Sequence, residues 1–297
     1  MFQPTGVFPA LVTPLTEDGR VDEPKLRAVI DHLIAAGVDG LFALGSAGEI
    51  YGLSAASKRQ LLEVTVEQVA GRVQIWCGAS EITTPDCLEV VRMAHQVGGV
   101  DAFSVLTPYF MTPSQSELVA HFTQIAASTD LPVLLYANPG RTKVPIAVPT
   151  VVELAAVPNI VGVKDSTGDM ALTQRYITET PDDFAVIVGN DAVILPGLFL
   201  GASGIIASTA NAVPDLVVAL YRAYLAGDHT RARALQALLG EVRSLLVNTG
   251  TFPIVIKEAM RLRGVDAGYC LAPAREIPPA SAAALPGLIE RLDAALA

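Results

Sequence analysis

Residues 159–170 read NIVGVKDSTGDM. Ile160, Val161 and Val163 place apolar side chains on both faces of a short run, the pattern of a parallel strand covered on two sides. The run then ends on Lys164, just ahead of the turn-forming Ser166, Thr167, Gly168 and Asp169. A lysine on a buried strand is costly unless it is paired, neutral or in use.

The same kind of run recurs along the chain. Residues 6–12, 40–44, 73–77, 102–106, 132–136, 160–164, 185–188 and 204–207 are eight strand-like segments, and amphipathic stretches lie between them. Leu26, Val29, Ile30, Leu33 and Ile34 step by three and four along one helix face, as do Leu62, Val66 and Val69. Ser114 and Glu117 have the spacing of a capping box that opens a helix after TPYFMTP. Eight strand–helix units predict an α/β protein, a (β/α)8 TIM barrel. After the eighth run only helical patterns remain, beginning with Leu216, Val217, Leu220 and Tyr224. The expected division is a catalytic barrel over residues 1–211 and a helical C-terminal extension over 212–297. A doubly wound open sheet competes, but no G-x-G-x-x-G follows the first strand.

Composition narrows the function classes. The chain has 297 residues, 51% of them hydrophobic, and a formal net charge of -10 without a basic run. An acidic balance repels phosphate backbones and anionic lipid, which argues against nucleic-acid and membrane partners. The uncharged run 192–214 is broken by Pro196, by small residues and by Ser208, Thr209 and Asn211, and reads as a helix, a turn and a strand rather than a membrane span. The N-terminal stretch lacks the basic region of a signal peptide. Cys77, Cys87 and Cys270 are too few and too scattered for a disulfide framework or a zinc site, so a cytoplasmic location is expected.

In a barrel, chemistry sits at the C-terminal ends of strands and in the loops that follow them. Those positions hold GSAGE (45–49), Tyr136 followed by ANPGR with Arg141, Lys164, GND and STAN. His32, His95, His121 and His229 all fall in helical stretches, so neither a metal site nor a Ser-His-Asp arrangement has obvious parts. Lys164 read alone is either a structural lysine, salt-bridged to Asp165 or reaching solvent, or a neutral amine able to form a Schiff base with a ketone. Neighbouring strands lie about 4.8 Å apart, so Tyr136 can stand beside Lys164 and relay protons, or be a packed tyrosine with a satisfied hydroxyl. GSAGE is either a plain turn or a loop whose N–H groups hold a carboxylate. Arg141 is either a solvated loop residue or a fork for a second carboxylate.

Taken together, the motifs GVFPALVTPLTEDGRVD, ALGSAGE, TPYFMTPSQ, PVLLYANPGRT, IVGVKDSTGD, GNDAVILPGLFLGASGIIASTAN and KEAMRLRG resemble the dihydrodipicolinate synthase / N-acetylneuraminate lyase family over nearly the whole chain. The resemblance implies that Lys164 is the Schiff-base lysine and Tyr136 the proton-transfer residue. It implies that Ser46 and the backbone at Ala47 bind the carboxylate of a 2-oxo acid such as pyruvate, that Ser46 joins Tyr136 in a proton relay, and that Gly189 and Ile206 line the pocket. It also implies no cofactor beyond that covalent Schiff base, no metal, and a homotetramer of paired dimers in which an aromatic residue of PYF is lent across the interface.

The chain departs from the synthase pattern in several places. Ala47 lacks the hydroxyl usual there, Phe110 stands where a lent tyrosine is usual, and bulky Ile50 and Tyr51 follow GSAGE. A phenylalanine relays no proton, so Tyr109 or water has to substitute. These departures lead to the expectation of a Schiff-base, pyruvate-dependent aldolase or lyase acting on a 2-keto-3-deoxy sugar acid. The alternatives are 4-hydroxy-tetrahydrodipicolinate synthase, joining pyruvate to aspartate semialdehyde; a 2-keto-3-deoxy acid dehydratase; and a non-catalytic 2-oxo acid sensor.

Overall fold

A computed structural model describes residues 4–296. Its eight strands are β1 (Gly6–Pro9), β2 (Gly40–Ala43), β3 (Gln74–Gly78), β4 (Ala102–Leu106), β5 (Val133–Ala137), β6 (Ile160–Asp165), β7 (Ala185–Val188) and β8 (Gly204–Ala207). All pair in parallel in the order β1-β8-β7-β6-β5-β4-β3-β2. The two ends of the sheet meet just past β1: Ala10 bridges Phe42 on β2, and the Leu11 N–H donates to the Phe42 carbonyl at 2.9 Å. The fold is therefore a (β/α)8 barrel.

The helices between strands are α1 (Glu23–Ala35), α2 (Ala55–Val69), α3 (Thr84–Val97), α4 (Gln115–Ala126), α5 (Pro139–Thr142), α6 (Val148–Leu154), α7 (Met170–Glu179) and α8 (Ile194–Leu200). After β8 follow α9 (Pro214–Leu225), α10 (His229–Asn248), α11 (Ile254–Leu262) and α12 (Pro279–Leu296). Among the described residues no helix is long and apolar enough to cross a membrane; the run 192–214 is divided among α8, β8 and the start of α9.

Local chemistry sets these boundaries. At the start of α4, Ser114 and Glu117 make both halves of the capping box. Asp169 caps α7 by accepting from the N–H groups of Ala171 (3.0 Å) and Leu172 (3.1 Å). The first strand is shorter than the apolar run suggests. Pro9 has no N–H, and after Ala10, which still donates to the Ala207 carbonyl of β8, the chain changes partners: the Leu11 N–H goes to Phe42 of β2 and the Val12 N–H to Asn211 Oδ1 at 3.0 Å. In the other direction, β6 runs one residue past Lys164, because the Gly189 N–H donates to the Asp165 carbonyl at 2.7 Å.

The loop after β2 is fastened to the C-terminal helices by a buried ion pair. Glu49, in the left-handed region at φ 59, meets Lys257 of α11 at 2.8 Å. Lys257 Nζ also donates to the carbonyls of Thr13 (2.7 Å) and Tyr269 (2.6 Å), which uses all three of its protons. Glu49 Oε2 accepts from the Leu271 N–H at 2.7 Å. Removing one partner of a buried pair leaves the other charge uncompensated, at a cost of about 3–5 kcal/mol. Lys257→Met is therefore expected to lower unfolding free energy by that order in urea titrations, and Glu49→Gln/Lys257→Met to lose clearly less than the sum of the single changes. Additive losses would show that the pair is not coupled.

His121 on α4 supplies a second test. It is buried, its Nδ1 is 2.8 Å from Thr84 Oγ1, and its Nε2 has no hydrogen-bond partner among the described residues. Burial lowers its pKa to about 4, from 6.5 in an unfolded chain. The folded state thus binds the proton less readily than the unfolded state. Stability from this residue is complete above pH 6.5 and is lost as pH falls toward 4, by at most about 3 kcal/mol. His121→Gln removes the titration, so its stability relative to wild type is expected to improve on acidification from pH 7 to 4.5. A difference that stays constant with pH would contradict this.

Candidate active site

Residues Tyr136 and Lys164 are direct partners in the β5–β6 register, so their side chains leave the sheet on the same, inward face. Both are buried, and Lys164 is only 3% exposed. The lysine Nζ lies 3.8 Å from the centroid of the Tyr136 ring and 4.8 Å from that of Phe42. Among the described residues it forms no ion pair. The salt bridge to Asp165 that a structural lysine would make is absent. Asp165 instead accepts from the Thr167 N–H (2.9 Å), the Thr167 hydroxyl (2.6 Å) and the Thr173 hydroxyl (2.5 Å), on the helix-facing side of the strand.

Burial pushes the Lys164 amine below its usual pKa; the Tyr136 phenol and, more weakly, Asp191 pull it back, while Arg141 lowers it further. Burial also works against ionising Tyr136. The Lys164 charge and hydrogen bonds from Asn138, Ser46 and Lys164 outweigh that, and the phenol sits below its ordinary value. Asn138 Nδ2 donates to the phenol oxygen at 3.1 Å.

These two residues stand in a cavity of about 100 Å3 at the C-terminal mouth of the barrel, also lined by Ser46, Ala47, Arg141, Gly189 and Ile206. Seven of the residues singled out in the sequence are thus brought together. Among the described residues, no other part of the chain takes the N–H groups of Ser46 and Ala47, which leaves the GSAGE loop with donors at the cavity. Gly189 has a steric role: a Cβ there would lie 2.1 Å from Ser166 Oγ and 2.9 Å from Lys164 Cε. The Arg141 guanidinium stacks on the Phe252 ring at 4.2 Å, at the rim.

Tyr109 and Phe110 are not brought to this cavity. Tyr109 is half-buried elsewhere, and Phe110 is 96% exposed with φ 73. Within one chain, therefore, Tyr109 does not reach Tyr136; the groups that meet the phenol are Asn138, Ser46 and Lys164. Sequence reasoning also assigned no role to Asn138, Asp191, Ser208, Arg243, Val247 or Phe252, which complete the wall together with Ala10 and Ser166. Asp191 and Ser208 lie in the GND and STAN strand-end motifs and were within reach of the strand-end rule. Arg243, Val247 and Phe252 come from α10 and the segment after it, where no sequence signal points at the barrel mouth. Among the described residues there is no group of three or more His, Cys, Asp or Glu side chains that could hold a metal ion.

Known proteins resemble this chain over most of its length. The 4-hydroxy-tetrahydrodipicolinate synthase of Methanopyrus kandleri is 40% identical over 278 residues, covering 93% of this chain and 92% of the relative. The enzyme of that name from Bacillus subtilis is 38% identical over 264 residues, 88% of this chain and 90% of its own length. Among solved structures, a dihydrodipicolinate synthase of Bacillus anthracis superposes with a TM-score of 0.94 at 32% identity, covering 98% of this chain and 99% of that one. A prophage protein of the dihydrodipicolinic acid synthase family from Escherichia coli, solved in complex with pyruvate, gives a TM-score of 0.92 at 32% identity, with 98% and 99% coverage. The profile of the Dihydrodipicolinate synthetase family matches residues 3–291, and this chain belongs to that family of carbon–carbon lyases of the aldolase type.

Proposed function

We propose that the protein joins pyruvate to an aldehyde acid through a Schiff base on Lys164, the reaction named in its relatives, 4-hydroxy-tetrahydrodipicolinate synthase. The observation that carries the reading is a buried amine with no carboxylate partner, packed on a phenol and opening on a cavity. The neutral amine attacks the ketone carbon, and water leaves to give an iminium. The iminium draws electrons from the adjacent methyl, which loses a proton and becomes an enamine nucleophile. The enamine carbon bonds to the aldehyde carbon, and the aldehyde oxygen takes a proton. Re-entry of water or an amine at the iminium carbon frees Lys164.

Tyr136 moves the protons, with Ser46 as its hydroxyl partner. Asn138 donates to the phenol and cannot relay, so it orients rather than transfers. The Ser46–Ala47 N–H groups suit the pyruvate carboxylate. No cofactor is required by this sequence of steps. The 2-keto-3-deoxy sugar acid reading rested on Ala47 and Phe110, and the relatives at 37–40% identity favour the synthase alternative instead. Ala47 lends its backbone, so its missing hydroxyl weighs little. Phe110, nearly fully exposed, suits contact with a second copy of the chain in the homotetramer the family resemblance implies. The three cysteines are free and buried, which suits the reducing cytoplasm.

Incubation with pyruvate and borohydride is expected to add a reduced pyruvyl group to the peptide containing Lys164, and to leave Lys164→Arg unlabelled. Labelling of both proteins alike, or of neither, would remove the Schiff base from this lysine and favour a sensor. The acceptor is settled by comparing rates. Condensation of pyruvate with aspartate semialdehyde is expected to exceed, by tenfold or more in kcat/KM, the cleavage of any 2-keto-3-deoxy sugar acid. The reverse ranking returns the sugar-acid lyase to first place.

A further inference from the structure

We infer that Asp191 is the fixed counter-charge for the positive nitrogen that forms on Lys164, placed in the same cavity but held out of contact with the amine. The inference rests on the Schiff-base reading above and adds to it a positioning residue that acts through Lys164. Asp191 opens the single helical turn Asp191–Val193 after β7 and is only 3% exposed. Among the described residues that line the cavity, it is the one carboxylate.

Its oxygens are tied away from the lysine. Oδ1 accepts from the Thr209 hydroxyl (2.7 Å) and the Thr209 N–H (3.2 Å), and Oδ2 from the Ser208 hydroxyl (3.3 Å). Arg243 Nε of α10 faces Oδ2 at 3.9 Å, an ionic contact too long for a hydrogen bond. The backbone is fixed as well. Gln236 of α10 donates to the Asp191 carbonyl at 3.0 Å and accepts from the Leu195 N–H at 2.8 Å. Two residues before Asp191, the Gly189 N–H is bound to the Asp165 carbonyl of β6 at 2.7 Å. The carboxylate is thus kept from swinging onto Lys164, and among the described residues no ion pair joins the two.

That separation matches the chemistry. A carboxylate in contact would hold the lysine as an ammonium ion and remove the nucleophile. Without a carboxylate in the wall, the iminium would form with the charges of Arg141 and Arg243 opposing it. A carboxylate beyond contact avoids both. Burial still lowers the Lys164 pKa; the Tyr136 phenol and Asp191 work against that, and Arg141 works with it. The iminium nitrogen takes the place of the ammonium and carries the same charge, so the field of Asp191 favours each of them. In a small cavity closed to bulk water that field is weakly screened.

Trapping of pyruvate with cyanoborohydride, followed by mass spectrometry over a series of pH values, tests this. Trapping slows on the acid side as Lys164 takes a proton, and the charge of Asp191 sets that limb at a higher pH than it would otherwise have. Asp191→Asn is expected to move the limb to lower pH by about half a unit or more. On the alkaline side, where the amine is free, it is expected to slow trapping at saturating pyruvate at least threefold. Arg243→Gln removes the charge that faces Asp191 and is expected to move the limb the other way, to higher pH. Gln236→Leu cuts both ties from α10 to the turn, keeps both charges, and is expected to leave the limb in place. Opposite shifts in the two charge variants support the inference; if Asp191→Asn does not fold, the upward shift in Arg243→Gln carries the test. An unmoved limb in Asp191→Asn, a downward or absent shift in Arg243→Gln, or a downward shift in Gln236→Leu would overturn the inference and leave Asp191 an anchor of the turn. Failure of trapping on wild-type Lys164 would instead overturn the Schiff-base reading, so the two failures are distinct.

Discussion

Lys164 and Lys257 are both 3% exposed, and the difference in what surrounds them organises the molecule. Lys257 has a carboxylate and two carbonyls, one acceptor for each proton, and so its charge is fully compensated in place. It joins the loop after β2 to the extension and has nothing left to offer a substrate. Lys164 has two aromatic faces and no ion pair among the described residues. Burial outweighs the opposing pull of the Tyr136 phenol and Asp191 and favours the free amine. One residue type serves as a fastener in one setting and as a candidate nucleophile in the other, and the distinction lies in the hydrogen-bond partners rather than in depth.

The Lys164 environment depends in turn on the barrel. Parallel pairing puts Tyr136 and Lys164 at one level on one face, and closure through Ala10 and Phe42 brings the Phe42 ring against the same amine. Gly189 at the end of β7 leaves the volume through which the lysine stem passes. The GSAGE loop, which carries Ser46 toward Tyr136, is held at Glu49 by the Lys257 pair. A change at α11, with no contact to Lys164, thus bears on the loop that completes the site.

The strand–helix period was legible because buried parallel strands and amphipathic helices leave distinct apolar patterns, and each of the eight runs lies within a residue or two of its strand, apart from the overlong first. That run misled because residues 10–12 are apolar whether or not they remain in the ladder; Pro9 and the Asn211 side chain decided the matter. Tyr136 and Lys164 were legible because strand ends are numbered by the pattern and neighbouring strands have a nearly fixed spacing. Arg243 and Phe252 were not, because α10 is amphipathic like any packed helix. Its axis direction relative to the barrel is set by long-range packing that no local spacing encodes. The Glu49–Lys257 pair, 208 residues apart, was hidden for the same reason.

The layout of the cavity separates two tasks. The residues proposed for pyruvate come from the barrel itself: the loop after β2, the ends of β5 and β6, Gly189 after β7 and Ile206 on β8. The residues on the far side come largely from elsewhere: Arg141 from the short helix after β5, and Arg243, Val247 and Phe252 from α10 and its C-terminal side. Phe252 stacks on Arg141, so the extension also sets where that guanidinium points. On the proposed Schiff-base reading the reacting pair needs a fixed geometry, which the β5–β6 register supplies for Tyr136 and Lys164, while the loop after β2 brings in Ser46. On the same reading the aldehyde is met at the rim, where α10 and the segment after it pack on the barrel without taking part in the β5–β6 register. On the proposed reading, a barrel built this way keeps its covalent chemistry at the strand ends while residues of the extension shape the rest of the cavity wall.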